Sequence, residues 1–130
     1  ALSVSSICEE KKSVLCTGYP SRFNFDSESM KSQINLMSRF GKSIMLGSGS
    51  ESLLLVAKGA VEYYAESEIM LWDVAAGILI IQEAGGIVKN LIPEHEVLES
   101  GSILTANPRV FELMHEIIKK YDSRLLKLYS

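Results

Sequence analysis

Two carboxylates and a hydroxyl stand where this chain turns from one element to the next. Glu66 ends the β-forming stretch "VEYYAE", Asp73 follows Trp72 at the mouth of "EIMLWDVAAGILIIQEAGG", and Ser48 lies between Gly47 and Gly49. Carboxylate oxygens beside the free amides of a helix N-terminus suit a hard cation or a hydroxylated ligand. Each residue also has a plainer reading. Asp73 can simply cap its helix, Glu66 can be a solvated charge at a strand end, and Glu68 is expected to be exposed.

Other chemistries find less support. "GSGSES" resembles the start of a dinucleotide fingerprint, but Ser52 stands where the third glycine belongs, and no acidic residue follows a second strand at the required distance. His95 lies in an acidic loop and His115 on a helix, with no metal-ligand spacing between them. Ser48, Ser50 and Ser52 lack both a histidine-based triad context and a G-x-S-x-G elbow, which argues against nucleophilic serine catalysis. Cys8 and Cys16 have no CxxC spacing and read as small buried thiols in a reducing compartment.

The elements that must position these groups are legible from hydrophobic period and punctuation. A short apolar run predicts a strand near Ser13–Thr17, stopped by Gly18 and Pro20. "DSESMKSQINLMSRFG" spaces Met30, Ile34, Met37 and Phe40 as one face of a helix ended at Gly41. "KSIMLG" is a brief strand, and "SGSESLLLVAKGA" opens on capping residues before a short buried helix. "VEYYAE" is a strand ending at Glu66.

The next helix takes Asp73 as its N-cap and Gly85-Gly86 as its stop. "GIVKN" and "SILTAN" are strands joined by the polar connector "LIPEHEVLES". In "NPRVFELMHEIIKKY", Asn107 caps, Pro108 takes the first turn, and Val110, Phe111, Met114, Ile117, Ile118 and Tyr121 form the core face. No element is assigned to the tail "DSRLLKLYS". About five strands alternating with four helices predict a layered α/β sheet covered on both faces. In such sheets sites gather where strand C-termini meet helix N-termini. That rule brings Gly47-Ser48-Gly49, Glu66 and Trp72-Asp73 to one edge.

Composition sets the outer bounds. The 130 residues suit one domain, 47% hydrophobic and 22% charged residues describe a globular chain, and the net charge is −3. With no Lys/Arg block, nucleic acid and anionic membrane are not expected partners. The longest apolar stretches, such as Ile78–Ile81, are too short to span a bilayer, and "ALSVSSICEE" lacks the form of a signal peptide. A cytoplasmic location is the expectation.

"WDVAAGILIIQEAGG" (Trp72–Gly86) resembles the C-terminal signature of the inositol monophosphatase family: a Trp-Asp pair, small residues, an aliphatic run, then Glu-Ala-Gly-Gly. Upstream, "LCTGYP" is similar to the family's Thr-Gly-Phe-Pro turn. "LGSGSESLLLVAKGAVEYYAE" is similar to its Gly-Ser/Thr-Ala helix and the strand ending in glutamate, and "ALSVS" to the segment after its Asn-Gly hairpin. The resemblance runs to about Asn90 and, more loosely, through "ILTANPRVFELM".

The resemblance implies the C-terminal α/β domain of the inositol monophosphatase and sugar phosphatase fold. It also implies a Mg²⁺-dependent phosphomonoesterase acting on inositol monophosphate or a similar small polyol or sugar phosphate by metal-activated water attack. By position, Asp73 matches the aspartate that ligates Mg²⁺ near the substrate's hydroxyls, and Glu66 the glutamate that hydrogen-bonds the polyol ring. Ser48 and Gly49 match the small pair lining the substrate pocket, with Gly49 in place of the usual alanine. Clustered Mg²⁺ needs several hard carboxylate ligands, an activated water and a stabilised leaving oxygen.

The family's other ligands belong to an N-terminal half, in a Glu-Glu pair or single Glu and an Asp-Pro-Ile/Leu-Asp-Gly-Thr motif. This sequence has neither, and no Asp-Pro dipeptide at all. Residues 1–130 are therefore expected to be the C-terminal domain alone, inactive without the missing N-terminal half. Apolar surface left uncovered by that half would favour a homodimer. Alternatives are a phosphatase acting on fructose bisphosphate or 3′-phosphonucleotides, and a non-catalytic interaction module that keeps the fold.

Overall fold

In a computed structural model the described residues are 2–18, 28–69, 71–91 and 101–121. At the ends of several elements, residues 67–69, 71–73 and 115–121 among them, the description is of backbone alone. After a 3-10 turn at Glu10–Lys12, the order is β1 (Val14–Thr17), α1 (Glu28–Ser38), β2 (Lys42–Ile44), α2 (Gly49–Ala57), β3 (Tyr63–Ile69), α3 (Leu71–Glu83), β4 (Ile87–Leu91), β5 (Gly101–Ala106) and α4 (Pro108–Tyr121). The expected five strands and four helices are all present. The connector "LIPEHEVLES" beyond Leu91, the tail after Tyr121 and Tyr19-Pro20 of the Thr-Gly turn lie outside the described residues.

The strands form one mixed sheet in the order β2-β1-β3-β5-β4. β1 runs parallel to both β2 and β3, with Leu15 opposite Ser43 on one side and Tyr63 on the other. β5 is antiparallel to β3 and to β4, so the C-terminal part closes as a hairpin-like pair.

Alternation along the strands feeds two cores. Leu15, Tyr63, Ala65, Leu104 and Ala106 face one way and pack with Leu36 and Phe40 of the α1 region and Val110 and Met114 of α4. Their neighbours Cys16, Tyr64 and Ile103 face the other way and pack with Leu53, Val56 and Ala57 of α2 and Val74 and Ile81 of α3. The sheet is thus flanked by helices on both faces.

The helix ends follow their local chemistry. Asn107 Oδ1 accepts from the Val110 amide at 2.8 Å, and its Nδ2 donates to the Ile7 carbonyl at 2.9 Å. Gly85, at φ +90°, ends α3 in a Schellman turn: the Gly86 amide reaches the Ile81 carbonyl at 2.9 Å and the Gly85 amide reaches Gln82 at 3.2 Å.

Three expectations are corrected. Leu36, at 2% exposure, takes the core position that the spacing gave to Ile34, which is 52% exposed; Phe40 is buried and Met37 packs beside it. Ile34 stands about 200° around the helix from Leu36, which turns it towards solvent, while Phe40 packs from just beyond the helix end. Cys8 is exposed rather than buried, and both thiols are free. α3 begins at Leu71, so Asp73 is the third residue of the helix and not its N-cap. Leu71 and Trp72 are both compatible with a helical first turn, so the modest capping preference of one aspartate does not decide where the helix begins.

Candidate active site

The carboxyl ends of β1, β2 and β3 lie along one edge of the sheet because these strands are mutually parallel. β2 leads into the amino end of α2, and β3 into that of α3. The edge therefore carries two helix N-termini and the Thr17-Gly18 end of β1, the arrangement in which open α/β sheets bind ligands.

Ser48 is the N-cap of α2, as expected, with its Oγ accepting from the Glu51 amide at 3.4 Å. Its turn is tied to β1 by a relay. The Cys16 thiol donates to Ser52 Oγ at 3.1 Å, and Ser52 Oγ donates to the Ser48 carbonyl at 2.7 Å. Burial, opposed by the Ser52 hydrogen bond, pushes the Cys16 thiol above its usual range, with the Glu66 carboxylate adding to the rise. Cys16 is thus a neutral donor here, held as packing rather than as a nucleophile. Gly47, just ahead, has φ +75°, a conformation that a side chain would strain.

Glu66 is not at the end of its strand. It is the fourth residue of β3, at the point where the register with β5 shifts between Glu66 and Ile69. Pairing with β1 does end one residue earlier, at Thr17 opposite Ala65, so the carboxylate projects just beyond the parallel part of the sheet. It is not a freely solvated charge. Tyr64 Oη donates to Glu66 Oε2 at 2.5 Å, and a methyl group built on Gly18 would collide with Oε1. Tyr64 is 1% exposed. Burial, with the Glu66 hydrogen bond and charge, drives its phenol far above the ordinary tyrosine range, so it remains a donor. On the opposite face, Thr17 Oγ1 donates to the Ala65 carbonyl at 2.7 Å and receives Gln33 Nε2 of α1 at 3.0 Å.

Four expected residues thus fall on one edge by topology: Ser48 and Gly49 at the start of α2, Glu66 on β3, and Asp73 in the first turn of α3. The side chains of Glu68, Trp72, Asp73, His95 and His115 lie outside the described residues. Among the described residues no group of three or more His, Cys, Asp and Glu is assembled to hold a metal ion. The residues described do not make a complete magnesium site by themselves. Sequence reading missed Tyr64, Gly18, Cys16 and Ser52. Tyr64 was within reach, because residues two apart in a strand share a face. The Cys16–Ser52 contact joins residues 36 positions apart and leaves no local signal.

The chain is thus of the mixed α/β class, with helix N-termini, a hydroxyl and a hydrogen-bonded carboxylate on the parallel edge of its sheet. The model of the inositol monophosphatase family matches residues 2–123, and the chain belongs to that family. Among curated relatives, the Nus factor SuhB of Pseudomonas aeruginosa is 32% identical over 97% of this chain and 48% of its own length. An inositol-1-monophosphatase of Mesorhizobium japonicum is 33% identical over 66% of this chain and 32% of its own. The solved structure of inositol monophosphatase from Anabaena superposes with a TM-score of 0.75 at 29% identity, covering 92% of this chain and 48% of that one. The chain spans about half, or less, of the length of the relatives it matches. Among the described residues no helix is long and apolar enough to cross a membrane.

Proposed function

We propose that this chain is the C-terminal α/β part of a cytoplasmic, Mg²⁺-dependent phosphomonoesterase. Its substrate is inositol monophosphate or a similar small polyol or sugar phosphate, and it needs an N-terminal half of the same protein for turnover. The observation that carries the reading is the Glu66 carboxylate, held by Tyr64 just beyond the parallel pairing of β1 and β3, on the sheet edge from which β2 and β3 lead into α2 and α3. A fixed acceptor of this kind suits the hydroxyls of a polyol. Helix N-terminal amides suit the anionic end of a phosphate ester.

In this reading Asp73 contributes one carboxylate to the metal site, and Ser48 and Gly49 line the pocket. Bound Mg²⁺ would supply the positive charge that activates water and stabilises the leaving oxygen. Asp73 on its own leaves most of an octahedral shell to other ligands, which accords with a chain that is inactive alone. Exposed Met45 and Leu46 follow the short edge strand β2 and offer apolar surface to the other half or to a second copy.

The test is Mg²⁺-dependent phosphate release by the full-length protein and by residues 1–130 alone. Inositol 1-phosphate, fructose 1,6-bisphosphate and a 3′-phosphonucleotide are the substrates. Release by the full-length protein, fastest with inositol 1-phosphate, and none by the isolated chain is the expected outcome. A full-length protein inert towards all three would overturn it. That result would favour a second reading, a non-catalytic module that works by binding a partner, which draws its support from relatives named Nus factor SuhB.

A further inference from the structure

We propose that Tyr64 is a positioning residue for polyol recognition: its hydroxyl, together with the close approach of Gly18, holds the Glu66 carboxylate in place as an acceptor for a ligand hydroxyl. The inference rests on the phosphatase reading above and adds to it the device that sets selectivity. Glu66 and Tyr64 alternate out of β3 on the same face, two residues apart, so the phenol reaches the carboxylate without any distortion of the strand. The 2.5 Å separation is that of a strong hydrogen bond from a hydroxyl to a charged acceptor.

The other side of the carboxylate is closed by chain packing. Glycine at position 18 leaves room for Oε1 where it lies, and a β-carbon there would force the carboxylate to shift. A free glutamate side chain samples several rotamers, and binding must then restrict it. Here the restriction is built into the folded state. With Oε2 committed to Tyr64, the group meets a ligand as an acceptor of fixed direction. That favours substrates with a hydroxyl at the matching place over esters without one. Tyr64 is itself buried in the core that packs against α2 and α3, with Cys16 and Val74, so the phenol is anchored by its surroundings.

The test compares two phosphate esters in the full-length protein: inositol 1-phosphate, which carries ring hydroxyls, and p-nitrophenyl phosphate, which does not. Tyr64→Phe should lower the ratio of their kcat/KM values about tenfold, the scale set by losing one hydrogen bond to a charged group. The loss should appear in KM for the polyol and not in kcat. In a Glu66→Gln background the same substitution should change the ratio no further. Gly18→Ala, which displaces the carboxylate from its other side, should lower the ratio too, and it reads the clamp even if Tyr64→Phe fails to fold.

If Glu66→Gln lowers the ratio while Tyr64→Phe and Gly18→Ala leave it within about twofold, a level below one weak hydrogen bond, the clamp is refuted and the polyol role of Glu66 stands. A Tyr64→Phe effect that persists undiminished in Glu66→Gln assigns the tyrosine a purely structural part and overturns the proposal. An inert wild-type protein overturns the phosphatase reading and the clamp together.

Discussion

Gly77→Ala tests how the two helices that open onto the site are held. Gly77 lies in the second turn of α3, where the helix packs on α2, and a β-carbon there would fall 2.6 Å from Leu53 Cδ1 and 3.0 Å from Leu53 Cβ. Two effects compete. Replacing glycine by alanine inside a helix gains about 1 kcal/mol of propensity. Against it, carbon atoms pack at about 3.5–4.0 Å, so the new methyl overlaps its neighbour by about 1 Å. Leu53 is fully buried among Cys16, Val56 and Val74 and cannot step aside, and its Cβ is fixed by the α2 backbone. Overpacking of this kind costs about 1–3 kcal/mol, so the clash wins and the net effect is a loss of about 1 kcal/mol.

The assay is urea unfolding of the full-length protein bearing Gly77→Ala, Leu53→Ala or both. Leu53→Ala alone should cost about 2–5 kcal/mol through the cavity it leaves. In the double variant the alanine methyl enters that space, so the combined loss should fall short of the sum by at least about 1 kcal/mol. A Gly77→Ala variant more stable than wild type, or strictly additive losses, would refute the close approach of α2 and α3.

Other outcomes are equally definite. Asn107→Ala removes both the cap on α4 and the bond to Ile7, and should cost about 2 kcal/mol in thermal or urea unfolding, whereas Asn107→Asp should recover the cap and lose less. Asp73→Asn in the full-length protein should reduce turnover at least about a hundredfold with unfolding unchanged, since a metal ligand supplies several kcal/mol of charge stabilisation. Wild-type turnover in that variant would remove Asp73 from the metal site. Because the folded-state pKa of Tyr64 is raised above its unfolded value of 10.0, the stability linked to it is complete below pH 10 and declines as pH rises beyond it. The thermal midpoint between pH 8 and 11 should therefore fall less steeply in Tyr64→Phe than in wild type.

Much of this protein is determined by its sequence alone, wherever the cause is local. The period of apolar residues and the stops at Gly41, Asn107-Pro108 and Gly85-Gly86 placed the strands and the α-helices found among the described residues, because caps and turns act within a few residues. Local pattern placed Ser48 at a strand–helix junction and Asp73 in a first helical turn, put Glu66 at a strand end that in fact runs on to Ile69, and parallel pairing then carried these to one edge. What only the tertiary structure decided is which partners meet across that edge. No local pattern distinguishes the order β2-β1-β3-β5-β4 from other orders, or an antiparallel β5 from a parallel one. Nor does the spacing in α1 choose Leu36 over Ile34, which depends on where the sheet lies relative to the helix. The start of α3 at Leu71, two residues ahead of Asp73, likewise departs from what the cap preference of that aspartate predicts. Gly18 reads in sequence as a turn glycine; its closeness to Glu66 arises because β1 ends opposite Ala65 and brings two residues 48 positions apart together. Chemistry sits in residue types that the sequence displays. Orientation, which turns a solvated glutamate into a directed acceptor, comes from contacts that form only when the sheet is assembled.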